Sequence, residues 1–368
     1  MLRVICRNLD PQVYDLRIVI GKTEHFSGKT RSFLDEFADR LVIIPELKRD
    51  VCLWDDWTAF CKLWGVFRRG KFDIVHTHTA KAGALGRLAA LIAGVPVIIH
   101  TPHGHNFYGY FNKAVSRMVI IIERFLALFT DRMIALTELE KNDYSRFKVA
   151  SGGKVVLIYM GLEPDILKPG NSGELRNKLE IESSGKLIGY VGRLDPVKGP
   201  QFFIEAARIC LASNPGLKFV LCGEGSLRRQ LEDRVDLLGL KGRIIFLGWR
   251  EDAPDIISCL DMLILPSLNE AVGIVLIEAQ SLGVPVIASN VGGVPETLRD
   301  GQTGILVPPG DPRAIAEAAA GLLADPQKMR NMSAAAREWA GRKFKAGDMV
   351  EHICAVYRQV IEEKNADN

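Results

Sequence analysis

Two cationic side chains, Arg193 and Lys198, stand five residues apart in the segment 192–199, which reads Gly-Arg-Leu-Asp-Pro-Val-Lys-Gly. The segment follows a run of strand-forming residues and precedes a stretch with helical periodicity, so we expect a loop at the end of a strand. A guanidinium forms paired hydrogen bonds with a phosphate, and an ammonium adds a mobile positive charge. The two cations together predict a site for a phosphorylated ligand, whereas an exposed tight turn would explain either one alone.

The segment 267–296 carries two carboxylates, Glu270 and Glu278, with seven residues between them. We expect a helix capped by Asn269 or Glu270, with Glu278 two turns deeper. The first backbone N–H groups of such a helix attract anions. They would belong to Ala271, Val272, Gly273 and Ile274. An ordinary amphipathic helix with an acidic first turn is the alternative interpretation.

Small or cationic residues also follow the other predicted strands of this half of the chain, namely Gly192, Gly223, Gly225 and Arg250. Glycines let a ligand approach the backbone, and the Glu278 carboxylate could accept hydrogen bonds from ribose hydroxyls. A nucleotide diphosphate fits this set of groups. The sequence has no Gly-x-x-x-x-Gly-Lys-[Ser/Thr] loop, which excludes P-loop chemistry, and no Asp-x-Asp motif to hold magnesium. We therefore expect neither a metal nor a cofactor, with Arg193 and Lys198 replacing the metal.

Five of the seven histidines are concentrated after two predicted strands of the first half: His76, His78, His100, His103 and His105. Two His-x-His pairs are compatible with zinc, but acidic ligands are missing nearby, so a metal site is not favoured. Histidines that cap loops are one alternative. A histidine that accepts a proton or a hydrogen bond from a substrate hydroxyl is the other.

The elements that must position these residues alternate as in a doubly wound α/β protein, with two parallel sheets and not one. Strands are predicted at 16–20, 41–44, 73–76, 96–100, 132–136, 154–158, 186–191, 217–222, 243–247, 261–265, 285–288 and 304–307. We place one domain at 1–164 and a second at 165–345, and expect helix 346–363 to pack back on the first. Ligands bind beyond the carboxyl ends of parallel strands, so chemistry is expected in a cleft between the domains. Residues 2–9 resemble a helix, so the first domain lacks the usual first strand with its Gly-rich turn.

Charge and cysteine content limit the class of protein. Residues 1–164 carry 23 Lys and Arg against 17 Asp and Glu, whereas residues 165–368 carry 24 against 27. The basic first half fits an anionic membrane face or an anionic substrate, with scattered surface charge as the simpler cause, and nucleic acid is not indicated. Seven scattered cysteines without a Cys-x-x-Cys pair predict a reducing, cytoplasmic setting.

Two helical segments raise the question of membrane contact. The tryptophan-rich segment 54–71 could lie on an anionic membrane, although packing on its own sheet explains its apolar stripe as well. We interpret segment 114–129 as a buried helix and not as a membrane anchor. A cytoplasmic protein, with a peripheral position at the inner face of the membrane as an option, is the expectation.

Three motifs in this order resemble the group 1 retaining glycosyltransferases of GT-B fold: Gly-Arg-Leu-x-x-x-Lys-Gly at 192–199, Glu-x7-Glu at 270–278, and Gly-Val-Pro-Val-Ile-Ala-Ser at 283–289. The His-Thr-His-Thr-x-Lys-Ala-Gly and Thr-Pro-His-Gly-His motifs of the first domain resemble bacterial members that build polysaccharides or lipid-linked oligosaccharides. The resemblance covers nearly the whole chain.

The resemblance implies a role for each matching residue. Arg193 and Lys198 would hold the diphosphate of a UDP- or GDP-sugar, and Glu278 the ribose. Glu270 would contact the donor sugar together with the backbone of 271–274, and the loop that ends at Arg250 would border the base. His103 would be the catalytic-site histidine. The acceptor side, a glycan or a polyprenyl-linked sugar, would involve His78, Lys81 and His105.

The implied reaction transfers the sugar with retention of anomeric configuration and without an obvious protein nucleophile. Three departures from the family pattern bear on it: the missing first strand, Met160-Gly161-Leu162-Glu163 in place of Asn-Gly-[Ile/Val]-Asp, and Ala271-Val272 in place of Gly-Phe. A catalytically impaired protein that still binds a nucleotide sugar is therefore one alternative. A nucleotide-sugar epimerase on the same fold is another.

Overall fold

The computed structural model describes residues 1–22, 28–48, 50–104, 107–109, 111–162, 172–179, 181–182 and 185–366. Its strands are β1 Ile18–Gly21, β2 Leu41–Ile44, β3 Ile74–His78, β4 Val97–Thr101, β5 Arg132–Ala135, β6 Val155–Leu157, β7 Leu187–Val191, β8 Lys218–Cys222, β9 Ile244–Gly248, β10 Met262–Leu265, β11 Val286–Ser289 and β12 Gly304–Val307. All pairings between these strands are parallel. The α/β fold class predicted from the sequence is confirmed, and each predicted strand has an observed counterpart.

The helices connect and cover these strands. They are α1 Leu2–Asn8, α2 Gly28–Glu36, α3 Leu53–Gly70, α4 Ala80–Ala93, α5 Lys113–Ala127, α6 Glu138–Arg146, α7 Ser172–Lys178, α8 Pro200–Ser213, α9 Arg228–Leu237, α10 Ala253–Ser258, α11 Ile274–Ser281, α12 Pro312–Ala324, α13 Pro326–Lys343 and α14 Ala346–Ala366. Within the described parts of the chain, none of these helices is both long and apolar enough to cross a membrane.

The chain forms two compact units, one of Met1–Gly161 with Ala346–Asn368 and the other of Leu162–Lys345. The structure thus divides the chain after Gly161, not after residue 164 as predicted. The helix predicted at 346–363 is α14, which belongs to the first unit.

In the first unit, β3, β4, β5 and β6 form a four-stranded sheet in that order, and β1 pairs with β2 in a separate sheet. Helix α4 packs against both α3 and α5. Buried side chains of α3, including Leu63 and Phe67, join Val75 and Ile98 of the sheet in one hydrophobic cluster. Residues 2–8 are helical, as the sequence indicated.

Helix α5 departs from the sequence-based interpretation. Segment 114–129 was expected to be buried, yet Ile121 and Phe125 are each 57% exposed while Glu123 is buried. Sequence periodicity identifies the apolar side of a helix, but it does not show whether a tertiary contact buries the other side instead. Here Arg87 of α4 binds Glu123 and turns part of the apolar side outward.

The second unit has one six-stranded sheet in the order β12-β11-β10-β7-β8-β9. From β7 the chain adds β8 and β9 on one side, and then β10, β11 and β12 on the other. The strand order therefore reverses between β7 and β10. In open parallel sheets, ligands bind outside the carboxyl ends of the strands at such a switch point. The loops that follow β7 and β10 are the ones that carry Arg193, Lys198 and Glu270.

Helix α11 begins later than predicted. It starts at Ile274, and its N-cap is Gly273, whose φ of 72° lies in the left-handed region. A residue in that conformation cannot continue a right-handed helix, so neither Asn269 nor Glu270 caps it. Of the four residues predicted to offer helix N–H groups, only Ile274 lies inside the helix, and Glu278 lies in its second turn.

Candidate functional site

The loops after β7 and β10 meet through an ion pair between Lys198 and Glu270. The Lys198 ammonium donates to Oε2 of Glu270, and the two side chains are 19% and 11% exposed. The hydroxyl of the fully buried Ser267 donates to the same oxygen at 3.3 Å. A hydrogen-bonded pair with this little exposure is fixed in place, unlike a surface pair. The cation predicted for phosphate and the carboxylate predicted for sugar are thus in direct contact.

The backbone holds the two loops together on either side of this pair. The Leu268 N–H donates to the Val197 carbonyl at 2.8 Å. Gly199 has a φ of 67°, and a Cβ there would lie 2.0 Å from the Pro266 oxygen. Because no side chain fits, glycine at this position lets Lys198 approach the loop after β10.

Arg193 is positioned by its neighbours but remains accessible. Its Nη1 lies 2.6 Å from Oδ2 of Asp195, and its side chain is 50% exposed. The buried Tyr190 hydroxyl donates to the Arg193 carbonyl at 2.6 Å, which fixes the backbone. Burial raises the pKa of Tyr190, followed by the effects of Glu270 and Asp195, so the phenol stays protonated and keeps donating. An accessible guanidinium on a fixed backbone is suited to an anionic ligand.

The predicted glycines serve contact between loops. A Cβ at Gly223 would lie 1.9 Å from the Gly192 carbonyl oxygen, and one at Gly225 would lie 2.6 Å from the Leu194 oxygen. Gly192 in turn donates to the Cys222 carbonyl at 2.9 Å. These residues bring the loop after β8 against the loop after β7, which is a structural reason for glycine independent of a ligand.

Arg250 follows β9, two strands from β7 in the sheet. It binds Asp252 through Nη2–Oδ2 at 2.6 Å and Nε–Oδ1 at 2.8 Å. The structure therefore places Arg250 with its own loop, and it does not bring this residue to the Lys198–Glu270 pair.

The loop after β11 contacts the backbone of Glu270, a contribution that was not predicted from the sequence. The Gly293 N–H donates to the Glu270 carbonyl at 3.1 Å. A Cβ at Gly292, whose φ is 53°, would lie 1.9 Å from that same carbonyl oxygen. The Gly292-Gly293 dipeptide inside the segment 267–296 was the sequence feature that could have predicted this close backbone contact. Of the neighbouring backbone positions, Val272 and Gly273 are buried, Ala271 is half-buried and Ile274 is 40% exposed.

In the first unit, histidines at the ends of β3 and β4 lie against one another. Nδ1 of His78 and Nε2 of His103 are 3.0 Å apart, and the rings of His76 and His78 are in contact with centroids 4.4 Å apart and planes inclined by 31°. His76 is held by the Thr101 hydroxyl at 2.8 Å and by the Tyr357 hydroxyl at 2.7 Å. We call His76, His78, His100 and His103 the histidine cluster.

Desolvation makes the histidine cluster neutral. Burial lowers the pKa of His76 to about 3 and the pKa of His103 to about 4. The pKa values of His78 and His100 are also well below the usual value, with burial again the largest cause. A neutral imidazole offers one donor and one acceptor, so these rings can exchange hydrogen bonds with hydroxyl groups.

The backbone at His103 is unusual. Its φ is 58°, in the left-handed region, and the next N–H, that of Gly104, donates to the Glu140 carboxylate at 2.9 Å. Such a conformation costs energy in a non-glycine residue, and residues held in strained conformations cluster at functional sites. The other predicted residues differ: Lys81 forms an ion pair with Asp56 of α3, and His105 lies outside the described residues.

No group of three or more His, Cys, Asp or Glu side chains converges as a metal site in the parts of the chain that the structure describes. Histidines of the cluster instead bond to hydroxyl groups and to each other: His76 contacts Tyr357 and Thr101, and His78 contacts His103.

Both halves of the chain match families of sugar-transferring enzymes. Residues 171–339 match the family described as glycosyl transferases group 1, and residues 2–166 match glycosyltransferase family 4. The UDP-Gal:alpha-D-GlcNAc-diphosphoundecaprenol alpha-1,3-galactosyltransferase of Escherichia coli is 34% identical over 290 residues, which cover 77% of this chain and 74% of that protein. The chain belongs to the group 1 glycosyltransferases of GT-B fold. The prediction drawn from its motifs is confirmed.

A second relative and a solved structure are also similar to this chain. A D-inositol 3-phosphate glycosyltransferase of Corynebacterium glutamicum is 30% identical over 312 residues, covering 80% of this chain and 74% of that one. The crystal structure of Anabaena Alr3699/HepE in complex with UDP-glucose superposes with a TM-score of 0.83 at 22% identity, covering 97% of this chain and 94% of the other. The latter likeness concerns the fold. The protein is a glycosyltransferase that takes its sugar from a nucleotide sugar.

Proposed function

We propose that this glycosyltransferase moves a sugar from a UDP- or GDP-sugar to a glycan or lipid-linked acceptor in the synthesis of a cell-surface polysaccharide. The E. coli relative is named for a diphosphoundecaprenol-linked acceptor, and structures of the Anabaena neighbour contain UDP or UDP-glucose. These names support a uridine nucleotide and a lipid-linked acceptor here. We place the reaction on the cytoplasmic side of the membrane, with the protein at its inner face.

The single observation that carries the proposal is the contact between Lys198 and Glu270 at the switch point of the second sheet. In our proposal the donor's diphosphate binds the Lys198 ammonium and the exposed guanidinium of Arg193. Glu270 is then available to a sugar hydroxyl, together with backbone groups of the loop 271–274. Glu278 accepts hydrogen bonds from the ribose, and the loop at Arg250 borders the base.

The proposed reaction retains the anomeric configuration and needs no metal. The bond between the anomeric carbon and the diphosphate oxygen breaks, and its electron pair leaves with the nucleotide. The acceptor oxygen bonds to the same face of the sugar, and its proton passes to the departing phosphate. Arg193 and Lys198 stabilise the charge that develops on the diphosphate, which is the kind of electrostatic effect that dominates many enzymes. His103, neutral at physiological pH, is proposed to hydrogen-bond the transferred sugar.

The test is a screen of nucleotide sugars that measures release of nucleotide diphosphate. We expect Arg193→Ala and Lys198→Ala each to lower turnover by roughly a hundredfold or more, since each removes a group that stabilises the leaving charge. Lys241→Ala, at a lysine of the same unit whose side chain is 83% exposed, is the matched control and should turn over normally. Near-normal turnover in either site variant would overturn the assignment.

The same assay separates the finer parts of the proposal from the alternatives. Full activity after treatment with EDTA and an axial anomeric product from an axial donor, seen by NMR, are the expected results. Donor binding without turnover would instead indicate a nucleotide-sugar-binding protein. A changed sugar nucleotide formed without any acceptor would indicate an epimerase.

A further inference from the structure

Helix α5 of the first unit buries two polar side chains and exposes a row of apolar ones. Ser116 and Glu123 are buried. The apolar residues that face outward are Met118 at 54%, Ile121 at 57%, Ile122 at 43%, Phe125 at 57% and Leu128, just after the helix, at 76% exposure. At about 100° per residue these positions share one side of the helix, so they form a continuous stripe. We call this surface the α5 stripe.

The fold imposes this orientation through a buried ion pair. Arg87 of α4 is fully buried, and its Nη2 donates to the two carboxylate oxygens of Glu123 at 2.8 and 3.0 Å. Its Nε also donates to the Gly83 carbonyl at 3.1 Å. Turning α5 to bury the stripe would carry the Glu123 carboxylate away from this guanidinium and leave a buried charge without its partner, which is strongly unfavourable. The stripe is therefore a fixed feature of the surface.

Cationic residues line one flank of the α5 stripe. Lys113, Arg117 and Arg124 are exposed, and their spacing of four and seven residues places them on the same side of the helix. Glu123 is the single acidic residue of α5, and it is buried. The exposed surface of the helix thus combines apolar side chains with positive charge and no negative charge.

Helix α4 extends the apolar surface. Leu91 and Ile92 are 43% and 57% exposed, and Leu91 lies one turn beyond Arg87. Helix α4 packs against α5, and Arg87 is bonded to Glu123 of α5. Two neighbouring helices therefore both present exposed apolar side chains.

We propose that the α5 stripe and its basic flank dock the protein on an anionic lipid bilayer. A helix with bulky apolar residues on one side and Lys or Arg beside them lies in the membrane interface, where cations meet anionic headgroups. A second copy of the chain fits less well, since it would bring another basic row and no exposed acidic residue of α5 to meet the first. The docking rests on the proposed function for the location of the lipid-linked acceptor, and it names the surface that reaches the membrane.

The experiment measures sedimentation of the full chain with vesicles of phosphatidylcholine alone or mixed with phosphatidylglycerol. We expect binding to the mixed vesicles, weakened by salt, and little binding to phosphatidylcholine. Phe125→Glu should lower the binding constant roughly tenfold or more, because it places a charge of the wrong sign in the stripe. Arg117→Glu should lower binding to the anionic vesicles selectively. Leu237→Glu, at an apolar residue of the second unit that is 79% exposed and so more accessible than Phe125, should bind as the unchanged protein does.

Two results would overturn the docking: no binding of the unchanged protein to anionic vesicles, or equal binding by all three variants. A dimer that Phe125→Glu dissociates, with no vesicle binding, would assign the stripe to self-association instead. Since Phe125 is exposed, the variant should keep its melting temperature and its turnover with a water-soluble acceptor. Absence of turnover in every form, the unchanged protein included, would refute the proposed function while leaving the vesicle result standing.

Discussion

Among single residues, the neutral histidines have the clearest chemical consequence. His76 and His103 have pKa values near 3 and 4 because their rings are desolvated. At physiological pH they are uncharged, so neither contributes positive charge to the binding of a diphosphate. In the proposed function that charge comes from Arg193 and Lys198 of the second unit, and we propose that the histidine cluster recognises hydroxyl groups.

The lowered pKa of His76 predicts a loss of stability in mild acid. The folded-state pKa is about 3 against an ordinary value of 6.5, so between these values the unfolded chain holds a proton that the folded chain does not. Stability therefore falls as pH falls through this window, by up to about 1.4 kcal/mol per pH unit for one histidine. His76→Gln should make this dependence shallower, as measured by urea unfolding between roughly pH 7 and pH 5.

His352 on α14 is exposed and provides the matched control. His352→Gln should leave the slope of unfolding free energy against pH as it is in the unchanged protein. If His76→Gln shows that same slope, the ring of His76 is not held neutral by the fold.

The sequence predicted which side chains would bind the donor, but not which of them contact each other. Arg193, Lys198 and Glu270 were predicted as donor-binding residues from their spacing and from the strands before them. The pairing of Lys198 with Glu270 joins positions 72 residues apart, and it follows from β10 lying beside β7. Local pattern cannot give that order of strands, because it is decided by which sheet edge the chain returns to.

At the scale of elements, strands were predicted well because they are short apolar runs, and some of them, such as β4, β10 and β11, are buried on both sides of their sheet. Two helices show where such patterns fail. The start of α11 depends on the backbone conformation of Gly273, and the orientation of α5 depends on Arg87, which is 36 residues from Glu123. Both are tertiary effects that override local preference.

We expect the position of Glu270 to depend on the loop after β11. Gly292→Ala would place a Cβ 1.9 Å from the Glu270 carbonyl oxygen, so the loop after β10 must shift. Gly301→Ala is the matched control, since its φ of 71° is also left-handed but nothing lies within 4 Å of a Cβ there. The control should cost about 1 kcal/mol of stability, and Gly292→Ala clearly more.

Donor binding should distinguish these two glycine variants further. We expect calorimetry with a nucleotide sugar to show weakened binding for Gly292→Ala and normal binding for Gly301→Ala. Equal affinities in the two variants would mean that the position of Glu270 does not depend on the loop after β11.

At the scale of the whole molecule, α14 ties the end of the chain to the first unit. Tyr357 binds His76 at 2.7 Å, Glu363 binds Arg132 at 2.6 Å, and Lys364 binds Asp131 at 2.8 Å. The contacts reach β3 and the start of β5. The first unit is therefore built from both ends of the sequence, whereas the second unit is one continuous segment.

A chain that stops after Lys345 should for this reason lose order in one unit only. Without α14, His76 loses its phenolic partner and Arg132 and Asp131 lose their ion-pair partners, so local opening of β3 and β5 becomes easier. We expect hydrogen exchange there to accelerate roughly tenfold or more, while β7 to β12 keep their protection. A chain that stops after Lys364 retains Tyr357, Glu363 and Lys364, and should exchange as the full chain does. Equal acceleration in both sheets would show instead that α14 stabilises the molecule as a whole.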